Sequence, residues 1–170
     1  HSSNTNSGGW KGCDLRYDVL GSTNTNDGDA TATTATNPVA NTLMAALPSD
    51  LRAVMQPMTI YTDNTGGGSD NASYVTKTTD YLPLLAEYEI FGTRTYANSA
   101  EKNYQAQYAY YSAGNSKVKY RHSATGSTAW WWERSPYCNS SGSFCTVGTN
   151  GSANCNYAWY SYGVAPAFRV

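Results

Sequence analysis

Few residues in this chain have the type and spacing to do chemistry. His1 is terminal, which leaves His122 as the base for a Ser-His-Asp or Cys-His arrangement. It sits in the basic run Lys117-Val118-Lys119-Tyr120-Arg121-His122 and reads as a surface histidine. Glycoside hydrolysis needs two carboxylates flanking the scissile bond. Glu87/Glu89 and Asp63/Asp70 are the close pairs, and neither stands beside an aromatic cleft signature. Glu133 follows three tryptophans but adjoins Arg134. A guanidinium lowers a neighbouring carboxyl, so a structural Glu133–Arg134 ion pair is expected rather than a general acid. Gly66-Gly67-Gly68 invites a phosphate-loop reading, but no Lys-Ser/Thr follows it. Asp63, Asn64, Asp70 and Asn71 offer oxygen ligands at a spacing that fits no calcium loop, so a solvated loop is expected. Cys13, Cys138, Cys145 and Cys155 form no CxxC, which argues against structural zinc. They allow three disulfide pairings or four free thiols. The expectation is no catalytic residue, no metal and no cofactor.

Composition points elsewhere. The 170 residues carry 11 Lys+Arg against 12 Asp+Glu, a net charge of -1 that lacks the basic footprint of a nucleic-acid binder. The longest apolar stretches, such as Leu82 to Ala86, are far short of the ~20 residues of a membrane span. Aromatic residues make up 14%, with 15 Tyr and 5 Trp, which favours a folded chain over a disordered one. Tyr with Ser, Asn and Gly is the vocabulary of adaptable binding surfaces: rigid amphipathic area from the first, hydrogen bonding from the others. The length suits one domain.

The elements that would position such a surface follow from pattern. Trp10 is an anchor after Gly8-Gly9, and residues 21–37 read as an exposed low-complexity loop. Helical spacing runs through residues 39–58, with its methionines as core, and Pro57 as the stop. Tyr81 to Leu85 reads as a buried strand, and Ala86 to Gly92 as a short helix closed by glycine. A second helix is expected over 100–111, closed by Gly114, and an edge strand over 117–122. Thr149-Asn150-Gly151 between Ser143–Val147 and Ser152–Tyr162 signals a hairpin. Val164 to Val170 is expected as a buried, paired strand with Val164 and Phe168 inside.

At Trp130 to Pro136 and Gly163-Val164-Ala165-Pro166-Ala167-Phe168 the chain resembles the C-type-lectin-fold variable proteins of diversity-generating retroelements. The likeness is to the gut bacterial and phage branch, whose fold is akin to the formylglycine-generating enzymes. It extends over Ser7 to Lys11, Leu47 to Val54, the Tyr61 to Ser69 loop, Leu84 to Gly92 and Ala113 to His122. It implies an α+β, C-type-lectin-like fold with small antiparallel sheets, two or more helices and long loops. One such domain over 1–170 would be the C-terminal domain of a longer protein, with 137–162 as the variable ligand-binding region.

The ligand-binding residues so implied are Tyr137, Cys138, Asn139, Ser140, Ser141, Ser143, Thr146, Ser152, Cys155, Asn156, Tyr157, Trp159, Tyr160 and Tyr162. Phe144, Cys145, Val147, Gly151, Ala153 and Ala158 read as framework, which makes a designed disulfide unlooked-for. Variable side chains must not carry the fold, because one core change costs about 1–5 kcal/mol of a total near 5–15. They should therefore lie on a solvent face, over a scaffold of Trp130, Trp131, Trp132 and Arg134, with Trp131 turned away from its neighbours. The implied partner is a protein or glycan on a host or neighbouring cell surface, met on a phage tail or bacterial surface protein outside the cell. Nucleic acid and membrane insertion are excluded, and a homo-oligomer is allowed. The sugar motif of calcium-dependent animal lectins is absent. The competing readings are an enzyme of the formylglycine-generating type and a filament subunit without a ligand.

Overall fold

The computed structural model describes residues 1–170. No apolar period in this chain extends beyond a turn or two, and its helices are correspondingly short. They are α1 (Ala32–Thr36), α2 (Leu43–Ala46), α3 (Ser49–Val54), α4 (Glu87–Phe91) and α5 (Ala109–Ser112), with a π-helical turn at Leu15–Val19 and 3-10 turns at Ala72–Tyr74 and Ser99–Asn103. None is long and apolar enough to cross a membrane. Seven strands form three antiparallel sheets: β1 (Met58–Asp63) with β2 (Val75–Asp80), β3 (Lys119–Arg121) with β4 (Ala124–Ala129), and β5 (Trp131–Pro136), β6 (Ser143–Val147) and β7 (Ala153–Tyr157) in that order. The architecture is α+β.

Strand alternation sends successive β5 side chains to opposite faces. Trp132 joins Trp10, Leu20, Met44, Leu84 and Phe144 in the larger core. Trp131 joins Ile90, Tyr111 and Val147 in a second one. Trp130 turns back to the Trp132 side, where it stacks on Tyr162 at 5.7 Å and Trp132 meets the same ring at a tilt at 5.0 Å. Trp131 thus faces away from its two neighbours, as alternation requires.

Two buried arginines bolt these layers together. Arg134 pairs with Glu89 through both terminal nitrogens at 2.6 and 2.7 Å, and its Nε donates to Thr62 on β1 at 2.7 Å. Its Nη1 also reaches the Leu84 carbonyl at 2.7 Å. The partner is therefore Glu89, not the adjacent Glu133, which alternation points to the opposite face. Glu89 also caps α4 by accepting from the Ala86 N–H at 2.9 Å. Arg16 donates to Asp80 at 2.6 Å, and Asp80 accepts further from Ser22 and Thr78. Such pairs are satisfied only when every lone pair and proton finds a partner.

Four expected elements form differently. Residues 21–37 are not simply an exposed loop: they include α1 and bury Ser22, Thr23, Thr34 and Ala35. The helix over 100–111 breaks after Asn103 because tertiary partners claim its polar groups. Gln105 donates to Tyr61 and Glu101, Gln107 to the Ile90 carbonyl, and the Tyr108 N–H to Glu89. Tyr81 to Leu85 is buried apart from the half-buried Leu85, but makes no ladder, since Arg134 consumes its carbonyls by side chain and main chain. The tail from Val164 is not a strand. It touches the fold at the isolated bridges Trp131–Gly163, Leu84–Pro166 and Gln56–Arg169. Val164 is 37% exposed and Phe168 50%, so neither is inside. Pro166 has no N–H, and Pro83 faces Ala167, so donors are missing on both sides of any ladder. The α4 turn does close at Gly92, whose φ of +71° suits glycine.

Candidate functional site

A cleft of about 380 Å³ opens beside β5 and β6. Trp10, Trp132, Phe144 and Leu84 form its inner wall, all buried. Trp159, Tyr160 and Tyr162 form one lip, and the π-helical turn supplies the other with Asp14 and Asp18. The lip exists because β7 ends at Tyr157 and the chain turns sharply: Tyr160 N–H bonds the Tyr157 carbonyl at 3.0 Å. Aromatic rings then follow one another along it. Tyr157 and Tyr160 stand 6.1 Å apart and Tyr160 and Tyr162 5.9 Å. Asn156 donates to the Tyr162 hydroxyl at 2.6 Å and fixes that ring. Tyr157, Trp159 and Tyr160 are 48%, 58% and 47% exposed.

Tyr162 is a shared wall. On its far side a second cleft of about 560 Å³ is lined by Trp130 with Lys119, Arg121 and His122. One ring thus separates an acidic mouth from a basic one. Lys119 also lies over the Trp131 ring at 4.9 Å, and burial lowers its pKa.

The sequence-implied binding residues divide into two groups. Ser152, Tyr157, Trp159 and Tyr160 are exposed, and Cys155, Asn156 and Tyr162 half-buried. Asn139 and Ser141 are exposed too, on the 137–142 loop, where Tyr137 and Ser140 are half-buried. Tyr137 turns to Tyr96, edge-on at 5.2 Å, and does not join the Tyr157–Tyr162 cluster. Cys138, Ser143 and Thr146 are buried, against the expectation of a solvent face. Cys138 packs beneath Arg94, whose Nη1 lies 3.4 Å from its sulfur. Ser143 and Thr146 lie on β6, the middle strand, where both faces are covered. The reading missed Asp14, Asp18, Trp10 and Phe144 as cleft residues. The four-residue spacing of Asp14 and Asp18 on one turn was the available signal.

Beneath this surface lies a knot of carboxyls on the Trp131 side of the sheet. Glu101 accepts from the Asp63 N–H, Gln105 and Ser135, and burial pushes it up to about 7 against those donors. Glu133 is buried with both oxygens unpartnered. Burial, then Glu87 and Glu101, hold it well above the ordinary carboxylate range. No group of three or more His, Cys, Asp or Glu has metal-holding geometry. Two of the three glycines serve packing: Gly66, at φ +64°, has no room for a Cβ against the Asn6 carbonyl, and a Cβ on Gly68 would lie 2.9 Å from the Ser141 nitrogen, while Gly67 faces open space and is favoured by its φ of +77° alone. Asp63 closes the same loop by accepting from the Thr65 and Gly66 N–H groups at 2.9 and 2.7 Å.

A mixed α+β scaffold with an aromatic cleft on one sheet edge is thus the class that fold and site define. Residues 1–170 match the family described as "Domain of unknown function (DUF6273)", and the chain belongs to that family. No curated protein and no solved structure matches it.

Proposed function

We propose that this chain is a ligand-binding module on a C-type-lectin-like scaffold, of the kind diversified by retroelements, displayed outside the cell on a bacterial surface or a virion. The observation that carries the reading is the exposed run Tyr157, Trp159 and Tyr160 at the lip of a cleft whose wall is buried core. Contiguous exposed apolar patches mark interaction sites when they exceed a few hundred Å². Aromatic anchors commonly supply about 2 kcal/mol or more each when truncated at an interface. Trp159 and Tyr160 follow the end of β7, so their side chains can change without disturbing the ladder below. The ligand is a protein or a glycan of a host or neighbouring cell surface, presenting a ring face or apolar edge to the aromatic lip.

The chain and its Tyr157→Ser/Tyr160→Ser variant should be compared on a printed glycan array and a panel of cell-surface ectodomains. The chain should bind at least one probe, and the variant should lose it at an unchanged melting temperature. Equal binding by the two, no binding by either, or a melt lowered by several degrees in the variant would each reject the aromatic lip as the binding surface.

A further inference from the structure

The hairpin joining β6 to β7 turns through three residues. Gly151 N–H donates to the Gly148 carbonyl, and Gly148 N–H to the Ser152 carbonyl, each at 2.9 Å. Gly151 takes φ +82°, the left-handed residue such a loop needs. Residues 148 and 152 are therefore a hydrogen-bonded pair, and bonded and non-bonded pairs alternate down the ladder from there. At the far end Ala158 N–H donates to the Gly142 carbonyl at 2.9 Å, which confirms the phase. Cys145 stands directly opposite Cys155, and the count makes theirs a non-bonded pair. Such pairs bring Cα atoms to about 4.5 Å and side chains closest together. A disulfide spans Cα separations of about 4.4–6.8 Å. Directly opposite residues share a face, and both sulfurs are free thiols. Cys145 is fully buried and Cys155 half-buried, so one sulfur is open to a reagent and the other waits behind it.

We propose that Cys145 and Cys155 form an oxidisable cross-strand pair, closed by thiol–disulfide exchange with a low-molecular-weight disulfide. The Cys155 thiolate attacks one sulfur of that disulfide and expels its other half as a thiolate. Cys145, losing its proton, attacks the Cys155 sulfur of the mixed disulfide and expels the second small thiol. Two protein thiols are oxidised, one small disulfide is reduced to two thiols, and the two protons end on those thiols. The bond ties β7, the outer strand that leads into the aromatic lip, to the covered strand β6. The inference rests on the register alone and does not depend on what the lip binds.

The purified chain, incubated with excess oxidised glutathione in mildly alkaline buffer, should lose the mass of two hydrogens and retain no adduct. Capping with iodoacetamide in denaturant should then label Cys13 and Cys138 alone. Hydroxylamine cleavage at Asn150–Gly151 should leave two fragments joined until a reductant is added. Closure should raise the melting temperature by a few degrees. The bond should persist in Cys13→Ser/Cys138→Ser and vanish in Cys155→Ser. A glutathione adduct retained at Cys155, a link to Cys13 or Cys138, or four cappable thiols would overturn the pairing. The mapping on the unaltered chain decides this even if a variant fails to fold.

Discussion

The 137–147 and 157–162 segments both combine tyrosine with serine and both fall in the stretch read as a display surface, yet the fold treats them oppositely. The second stands out from the end of β7 and exposes its rings. The first is pressed against the N-terminal segment. Asn6 Nδ2 faces the carbonyls of Tyr137, Ser140 and Ser143 at 3.3, 2.6 and 2.8 Å, and the Asn6 N–H donates to Ser141 at 2.7 Å. All four acceptors are main-chain oxygens. The loop's course is thus held by its own main chain, while Cys138, Ser143 and Thr146 are buried. Composition alone does not distinguish display from support. What distinguishes them is which segment another part of the chain covers.

That contrast can be broken most forcefully from below. Trp131→Ala removes a fully buried indole from the core shared with Ile90 and Val147, and should cost about 3–5 kcal/mol in urea unfolding. Arg134→Ala should cost about 3–5 kcal/mol as well, since it strands Glu89 as an unpaired buried charge. A loss of binding by either variant at full stability would make these residues display rather than support.

Next in size is a pH effect. Glu101 rises from its ordinary 4.5 to about 7 in the fold, a difference worth roughly 3 kcal/mol. A raised carboxyl pKa means that the folded state holds the proton more tightly. Its stabilising effect is complete below about 4.5 and is lost as pH climbs through about 7. Glu101→Gln should flatten the stability profile across that window, as followed by denaturant melts at a series of pH values. An unchanged slope would place the titration on another group. Glu133→Gln should be tolerated, because burial already disfavours the charged form of the carboxyl it replaces.

Asn6→Ala sharpens the contrast further. It leaves buried carbonyls of the 137–143 loop without a donor and should cost about 1–3 kcal/mol. Proteolysis should then cut first within 137–143 and leave 157–162 no more sensitive than before. The smallest stability effect belongs to Tyr157→Ser/Tyr160→Ser, within about 0.5 kcal/mol, as for exposed positions generally. A larger loss in thermal melts would make the lip part of the core.

Much of this was legible in residue order, for identifiable reasons. Alternation placed Trp131 opposite Trp132, Asn150-Gly151 marked the hairpin, and Gly92 ended a helix. The Glu133–Arg134 pairing was misread because adjacent strand residues face apart, which makes sequence neighbours the worst candidates for a contact. Arg134 found Glu89, 45 positions away. The tail does not form the strand that its apolar content predicts, because Pro83 and Pro166 lack the donors a ladder needs.

The cysteines mark the boundary most sharply. A two-residue loop at Asn150-Gly151 would set Cys145 opposite Asn156 and turn the two sulfurs to different faces. The three-residue loop actually formed sets it opposite Cys155. Sequence by itself determined the short-range features: which segments turn, which alternate, and where aromatic and polar vocabulary is concentrated. Only tertiary structure decided the rest, because register, burial and the partners of Arg134, Asn6 and Asp80 depend on segments tens of residues apart. Those contacts are set by which donors and faces remain unsatisfied once the local elements have formed.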